Sequence, residues 1–422
     1  MRGWILILIL AAVGVCLLGG ARLGRQFPPA PARGVAATKV PTEGASPRTA
    51  DYVQPRLRAS RARPLPLPGE FERPSALMLG CNELVRHYPK VFSDVVAAAY
   101  RSTRIIGLIS HNDQERLALE LLEKRGLPND AVRFVLLPLD TMWVRDYGPL
   151  FIRRTDGSTY VAKGDYTEQG EKKGKRLRDN EAARLLGESL GLPVVSVPLK
   201  LSGGNLLSNG EGICVTTVTL VSENLSAAGG KQKIADVLME KLGFHSWVFV
   251  RPLVGESTGH VDMFMTFLAP NVAVVGRCDP AVDPLNARLL DETASLLSGR
   301  KTSRGPMKVY RIPMPPRRGE VWRSYTNVIF ANGTLLMPTF KDVAAAMQEE
   351  ALALYARLLP GWKVVGIKSD SLQPSRGLLH CFSMNVPPYV SLRKFGLSRS
   401  ARPPTAPHVA LTGTALPAAL TR

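Results

Sequence analysis

Cysteine is scarce in this 422-residue sequence, which contains only five, at positions 16, 81, 214, 278 and 381. None of the five stands in a CxxC pair or at another zinc-ligand spacing, so the sequence predicts no metal centre. The low count also excludes a small disulfide-rich scaffold. Cys81, Cys214 and Cys278 could form a disulfide in an oxidising compartment, and the sequence leaves their pairing open.

Acidic residues are fewer than basic ones, with 35 Asp and Glu against 54 Lys and Arg, and the formal net charge is +19. Much of the excess lies in the flanks: residues 22–68 hold nine basic and two acidic residues, and residues 393–422 hold five basic and no acidic ones. The sequence has no nucleic-acid-binding motif and no basic helix interleaved with aromatic residues, so we expect no nucleic acid partner. The basic flanks could instead contact an anionic envelope surface.

Long apolar runs are missing except at the amino terminus, where residues 4–18 are apolar or glycine and follow Arg2. This run, followed by the small residues Gly19-Gly20-Ala21, is typical of a secretory signal. Because a transmembrane helix needs about 20 apolar residues, we predict a signal peptide over residues 1–21, with an uncleaved amino-terminal membrane anchor as the alternative. The mature protein is expected outside the cytoplasm, as a secreted, periplasmic or membrane-anchored protein.

Composition divides the rest of the chain into three parts. Residues 22–68 are rich in Pro, Ala and Arg without helix or strand periodicity, which predicts a disordered linker. Residues 69–392 alternate apolar runs with polar turns and form the predicted folded domain, and residues 393–422 resemble the linker and are predicted to be a disordered basic tail. Within the domain we count about five strand-rich segments with one helix each, which indicates a periodic α/β architecture rather than one doubly wound sheet.

A first polar stretch, residues 140–149, follows a predicted strand and ends at a Gly-Pro break. It contains Trp143, Arg145 and Asp146. One interpretation is an Arg–Asp ion pair that closes a turn, and the other is a loop that directs a carboxylate towards a cationic ligand. A second stretch, Gly203-Gly204-Asn205, permits close backbone approach.

A third stretch, Gly259-His260-Val261-Asp262, leads into the apolar run 263–268. On an extended chain His260 and Asp262 share one face. An imidazole and a carboxylate on one face suit proton transfer beside a bound cation. The alternative is a core histidine next to a surface aspartate.

The last stretch is Leu379-His380-Cys381, which follows a predicted strand and a loop over residues 369–377. A single cysteine is more often a small buried apolar residue than a nucleophile. If Cys381 is a nucleophile, its base is expected to be His260, because adjacent side chains on an extended chain diverge. His380 is therefore predicted to face away.

Together these stretches resemble the Porphyromonas-type peptidylarginine deiminase and agmatine deiminase family of the guanidino-group-modifying superfamily. The matching motifs occur in family order across residues 75–387: residues 140–149, 203–205 and 259–262, Tyr325-Thr326-Asn327, and Leu379-His380-Cys381. The resemblance implies a five-bladed α/β propeller, the pentein fold, with pseudo-fivefold symmetry.

The resemblance also implies roles for single residues. Cys381 would be the nucleophile and His260 the general acid and base, Asp146 and Asp262 would bind the guanidinium, and Asn327 would support the site. No metal or organic cofactor would be required.

Further substrate-binding positions follow from the same motifs. Trp143, Arg145 and Asn205 are placed beside the substrate, and Arg176 and Arg178 would correspond to an Arg-x-Arg segment that binds the substrate carboxylate in the peptidylarginine branch.

The stretch around Cys381 departs from the Gly-Gly-Gly-Asn-Ile-His-Cys pattern of the agmatine branch, and residues 217–224 are closer to the peptidylarginine branch. We therefore expect conversion of peptidyl or free arginine to citrulline and ammonia, with agmatine as the alternative substrate. An inactive guanidinium-binding envelope protein and a basic envelope-associated protein are the competing classes. The oligomeric state is not predicted.

Overall fold

Short strands and helices alternate along residues 62–166 and 176–397, the part of the chain that the computed structural model describes. The predicted signal or anchor, the linker up to residue 61 and the tail from residue 398 lie outside the described residues. Residues 62–68, which composition assigned to the linker, pack on the domain: the Leu65 amide donates a 2.7 Å hydrogen bond to the Arg153 carbonyl. At the other end, Phe395 is buried.

The described helices all belong to the folded domain. They are α1 (Cys81–His87), α2 (Pro89–Ala99), α3 (Asn112–Lys124), α4 (Val144–Tyr147), α5 (Leu177–Leu190), α6 (Thr219–Ala228), α7 (Lys231–Leu242), α8 (Pro284–Leu297) and α9 (Ala345–Leu358). None of the helices in residues 62–166 and 176–397 is long and apolar enough to cross a membrane.

The described strands are short. They are β1 (Ala76–Gly80), β2 (Ile105–Ile109), β3 (Arg133–Leu136), β4 (Leu150–Arg153), β5 (Thr159–Asp165), β6 (Val194–Lys200), β7 (Leu207–Ser208), β8 (Ile213–Thr217), β9 (Ser246–Val250), β10 (Met265–Ala269), β11 (Val272–Arg277), β12 (Lys301–Thr302), β13 (Gly305–Pro306), β14 (Lys308–Pro313), β15 (Ile329–Phe330), β16 (Thr334–Thr339), β17 (Lys363–Lys368) and β18 (Ser383–Val386).

Four three-stranded sheets share one plan, in which an antiparallel pair is extended by a parallel third strand. Their strand orders are β4-β5-β6, β7-β8-β9, β10-β11-β14 and β15-β16-β17. A parallel neighbour requires a long crossover, and in each sheet that crossover carries helices: α5, then α6 with α7, then α8, then α9. The α/β class predicted from the sequence is therefore confirmed.

A fifth sheet, β18-β1-β2-β3, follows the same plan but takes its antiparallel strand from the far end of the domain. Ala76 pairs with Val386 and Leu79 pairs with Ser383. All residues of β1 and β2 are buried, as expected for strands that are covered on both faces. The antiparallel register places the segment that carries Cys381 beside the end of β1, where the Gly80 amide donates a 2.9 Å hydrogen bond to the Phe382 carbonyl.

Strand β8 ends at Thr217, and Thr219 already begins α6. The sequence left the pairing of the cysteines open. In the described ranges Cys81, Cys214, Cys278 and Cys381 are all buried free thiols, and no disulfide forms among them.

Candidate active site

A cavity of about 630 Å³ opens at the carboxyl ends of several strands. Its walls come from segments that follow β3, β5, β6, β8, β9 and β17. Segments after strand ends are a common source of ligand-binding residues in α/β proteins, because neighbouring parallel strands end at the same edge. Trp143, Asp146, Asn205, His260 and Cys381 are among the lining residues.

Asp146 lies on the single-turn helix α4. Its Oδ1 accepts a 3.2 Å hydrogen bond from the Gly204 amide and lies 3.6 Å from Nδ1 of His260. The carboxylate and the imidazole therefore face each other at the cavity, although they are more than a hundred residues apart in the sequence.

The missing side chain of Gly204 leaves room for three functional groups at one point. A Cβ atom at Gly204 would lie 2.7 Å from Asp146 Oδ1, 2.8 Å from His260 Nδ1 and 3.1 Å from Asp262 Oδ2. Gly203 is equally constrained, since its Cβ would lie 2.1 Å from the carbonyl oxygen of Arg145. The Gly-Gly pair therefore permits the convergence of the two carboxylates and the imidazole.

The segment around His260 and Asp262 is only partly extended. His260 is extended, but Val261–Met263 forms a 3-10 turn, and β10 begins only at Met265. Asn205 holds this segment in place, because its Oδ1 accepts hydrogen bonds from the amides of Val261 (3.2 Å) and Thr217 (3.0 Å). Asn205 thus lines the cavity and also fixes the turn that carries His260.

Asp262 is 1% exposed, and its two carboxylate oxygens have different surroundings. Oδ2 lies 2.7 Å from Nδ1 of His380, whereas Oδ1 has no hydrogen-bond partner among the described residues. His380 was expected to face away. It does not line the cavity, but it contacts Asp262 directly.

Cys381 is 7% exposed at the cavity. Asn327 lies beside it: its Nδ2 is 3.5 Å from Sγ, and its Oδ1 accepts a 2.9 Å hydrogen bond from the His380 amide. Burial, and then the negative charges of Asp262 and Asp146, raise the pKa of the Cys381 thiol well above its usual range. The thiol and both carboxylates are therefore electrostatically coupled.

Three arginines predicted to bind substrate lie in different places. Arg176 lines the cavity, and its Nη1 donates a 2.5 Å hydrogen bond to the Tyr166 hydroxyl. Arg178 does not line it, since its side chain is mostly exposed and lies 3.7 Å from Asp140. Arg145 is buried away from the cavity and donates a 2.6 Å bond to Glu70.

Trp143 lines the cavity and packs closely on the chain near Cys381, because a Cβ atom at Gly377 would lie 2.4 Å from the Trp143 ring. Other lining residues were not predicted. Among the charged ones are Asp165, Lys200, Glu223 and Arg376. Partial burial raises the pKa of the Glu223 carboxyl, while the charges of His260 and Lys200 oppose this rise.

Glu70 is a further residue that the sequence analysis missed. It precedes β1, and His380 links it to Asp262: Nε2 of His380 is 2.7 Å from Glu70 Oε2, and Nδ1 of His380 contacts Asp262. A glutamate in a turn at the start of a domain carries no local signal of such a role. Within the described residues, no group of three or more His, Cys, Asp and Glu side chains is arranged to hold a metal ion.

The chain is similar in sequence and fold to several known proteins. A curated protein of Marinomonas sp. strain MWYL1, named "Putative agmatine deiminase", is 24% identical over 380 residues, which cover 81% of this chain and 98% of that protein. The crystal structure of the "Putative Arginine Deiminase" from Porphyromonas gingivalis is 25% identical with a TM-score of 0.67, and the match covers 78% of this chain and 99% of that one.

An agmatine deiminase of Enterococcus faecalis shares the fold at 19% identity and a TM-score of 0.64, with 76% of this chain and 95% of that chain covered. Residues 68–387 match the Porphyromonas-type peptidyl-arginine deiminase family. The chain therefore belongs to this family, whose members are hydrolases that act on carbon–nitrogen bonds.

Proposed function

We propose that the protein hydrolyses the guanidinium group of peptidyl or free arginine to a ureido group, releasing citrulline and ammonia. The observation that carries this proposal is the convergence of Asp146, His260 and Asp262 around Gly204, beside the thiol of Cys381. Few ligands suit a buried and a partly buried carboxylate next to a nucleophile, and a planar cation is one that does.

The carboxylates supply the binding step. A guanidinium offers five N–H donors in a fixed plane, which two carboxylates can accept through charge-assisted hydrogen bonds. Oδ1 of Asp262 is buried without a partner in the described structure, and an unpaired buried acceptor is costly. A bound guanidinium would donate a hydrogen bond to Oδ1 of Asp262, and this bond would hold the central carbon of the guanidinium over Cys381.

The chemical steps then follow from the groups around that carbon. The Cys381 thiolate attacks it and forms a C–S bond, and His260 donates a proton to the amino group that departs as ammonia. Water attacks the resulting S-alkylthiouronium, His260 takes a proton from it, and the C–S bond breaks to return the thiolate. One guanidinium and one water thus give one ureido group and one ammonium ion.

Ionisation of the thiol is coupled to substrate binding in this proposal. The carboxylates of Asp146 and Asp262 disfavour a thiolate at Cys381 while the cavity is empty. A bound guanidinium neutralises them and brings its own positive charge, both of which favour the thiolate. The nucleophile would therefore form chiefly when the substrate is present.

Agmatine is the second candidate substrate, because the cavity also holds the carboxylates of Asp165 and Glu223, which suit a distal amine. Several relatives are named agmatine deiminases. Arg176 also lines the cavity, and its guanidinium suits the carboxylate of an arginine substrate. Whether arginine or agmatine is preferred therefore depends on which of these charged groups the tail of the substrate contacts.

Two wider features belong to the same proposal. We propose that the five sheets with one shared plan are the blades of a five-bladed α/β propeller, supported by the repeat of an antiparallel pair and a parallel crossover. We also propose an extracytoplasmic location, supported by the apolar run over residues 4–18, with membrane association through that run if it is retained.

The test compares an arginine-containing peptide, free arginine and agmatine as substrates, with ammonia and ureido product measured separately. We expect an arginine substrate to give ammonia and ureido product in equal amounts. Product from agmatine alone would favour the second candidate, and guanidinium binding without any ammonia release would favour an inactive binding protein.

A further inference from the structure

Four charged side chains follow one another from Asp262 to Arg145. Asp262 Oδ2 is 2.7 Å from His380 Nδ1, His380 Nε2 is 2.7 Å from Glu70 Oε2, and Glu70 Oε1 accepts a 2.6 Å bond from Arg145 Nη1. The charges alternate in sign if His380 is protonated. None of His380, Glu70 and Arg145 lines the main cavity.

These groups are held in a poorly hydrated place. His380 is 4% exposed and Arg145 is 5% exposed. A buried carboxylate or guanidinium is tolerated only when it is paired and hydrogen-bonded, and each group in this row has a partner of opposite charge. The geometry therefore leaves little freedom to any of the four side chains.

We propose that His380, Glu70 and Arg145 form a positioning relay that fixes the Asp262 carboxylate, with Oδ2 held by His380 and Oδ1 left for the guanidinium. This inference rests on the proposed function for its kinetic consequences. It assigns a functional role to Glu70, which lies in the segment before β1. It also assigns His380, the neighbour of the nucleophile in sequence, the role of a positioning residue.

Electrostatics supports the same arrangement. Burial and the charge of Arg145 oppose protonation of His380, but Glu70 and the hydrogen bonds to both carboxylates outweigh them and raise the pKa of the imidazole. Burial likewise opposes ionisation of Glu70, yet Arg145 and His380 prevail and lower the pKa of Glu70 to about 2. Both ring nitrogens of His380 face carboxylate oxygens, an arrangement that favours the protonated imidazole, which can donate from both.

The first arm of the test does not depend on turnover. In full-length protein with isotope-labelled histidine, the His380 ring resonance is assigned by its loss in His380→Asn and titrated by NMR. We expect His380 to stay protonated to a higher pH than an ordinary histidine, and Glu70→Gln to shift its titration to lower pH. An ordinary titration that Glu70→Gln leaves unchanged would overturn the relay.

The second arm separates positioning from folding. His380→Ala should raise KM for the guanidino substrate about 100-fold, because Oδ2 of Asp262 loses a charge-assisted hydrogen bond. His380→Asn, which can still donate near the Nδ1 position, should recover about tenfold of that loss at an unchanged Tm. Equal KM values for the Ala and Asn variants, or effects on Tm alone, would contradict positioning.

Glu72→Gln is the matched control, because Glu72 lies two residues from Glu70 and its side chain accepts a 2.8 Å hydrogen bond from the Gly69 amide. It should leave both the His380 titration and KM unchanged. If wild-type protein turns over no guanidino compound, the proposed function fails, and the NMR titration still decides the relay.

Discussion

Asp146 Oδ1 accepts a 3.2 Å hydrogen bond from the backbone amide of Gly204, so the carboxylate is fixed by a residue that has no side chain to obstruct it. An added methyl group would lie 2.7 Å from that oxygen and 2.8 Å from His260 Nδ1. Gly204→Ala must therefore displace the carboxylate, the imidazole or both. Because small displacements of catalytic groups are costly, we expect kcat/KM to fall about 100-fold in a steady-state ammonia assay.

Gly276→Ala is the control for this substitution. Its Cβ would meet the flexible Met314 side chain at 3.2 Å, and Gly276 does not line the cavity. Activity should stay near that of the wild type in Gly276→Ala. Full activity in Gly204→Ala would show that the convergence at Gly204 is not part of the site.

The coupling between Cys381 and the carboxylates predicts an unusual thiol in the absence of substrate. Since the pKa of Cys381 is raised by burial and by Asp262 and Asp146, alkylation by iodoacetamide should be slow at neutral pH and accelerate only at alkaline pH. Asp146→Asn removes a negative charge, which lowers the thiol pKa and moves the alkylation profile to lower pH.

Cys381→Ser gives the background for the alkylation experiment, because the other three thiols of the described chain are also buried. Burial raises the pKa of Cys278 to about 11, so its reaction should be slow near neutral pH. An alkylation profile that Asp146→Asn does not move would contradict the coupling.

Arg176 and Arg178 provide a matched pair for substrate selection. Arg176 lines the cavity, whereas Arg178 lies outside it beside Asp140. If Arg176 binds a substrate carboxylate, Arg176→Gln should raise KM for free arginine about tenfold, the worth of one charge-assisted hydrogen bond. Arg178→Gln should leave KM unchanged.

Agmatine provides the internal control for these variants because it has no carboxylate. Its KM should not rise in Arg176→Gln. Equal increases in KM for arginine and agmatine would mean that Arg176 maintains the cavity wall and does not bind the substrate carboxylate.

Because the cysteines of the described residues are free thiols, we expect that reducing agent does not destabilise the domain. Cys81, Cys214 and Cys278 are unpaired, and loss of a native disulfide typically costs a domain about 2–5 kcal/mol. The Tm should therefore be the same with and without reductant in a thermal melt. A clear fall of the Tm in reductant would reveal a disulfide that the structure does not contain.

Much of the fold could be predicted from local sequence patterns. Helix α7 over Lys231–Leu242 and strand β9 over Ser246–Val250 carry clear local signals, because apolar spacing marks the helix and Gly243 follows its end. The end of strand β8 carries none, since its β-branched residues continue past Thr217 into the start of α6. Side-chain preference there is overridden by tertiary packing.

The candidate site was predicted less completely. The motif residues Asp146, His260 and Cys381 do meet at one cavity, but Arg145 lies behind it on Glu70. Glu70 could not be found from its surroundings in the sequence, since it is 310 residues from His380 and meets it only in the folded domain. Such long-range pairings are set by the whole fold and leave no local pattern.

The central claim, covalent catalysis by Cys381 on a guanidinium, is tested most directly by intact-protein mass spectrometry after acid quench during turnover. The account predicts an adduct with the mass of the neutral arginine substrate less one ammonia, located on the peptide that contains Cys381. Cys381→Ala should give neither this adduct nor any ureido product. Undiminished ureido product from Cys381→Ala would contradict the account.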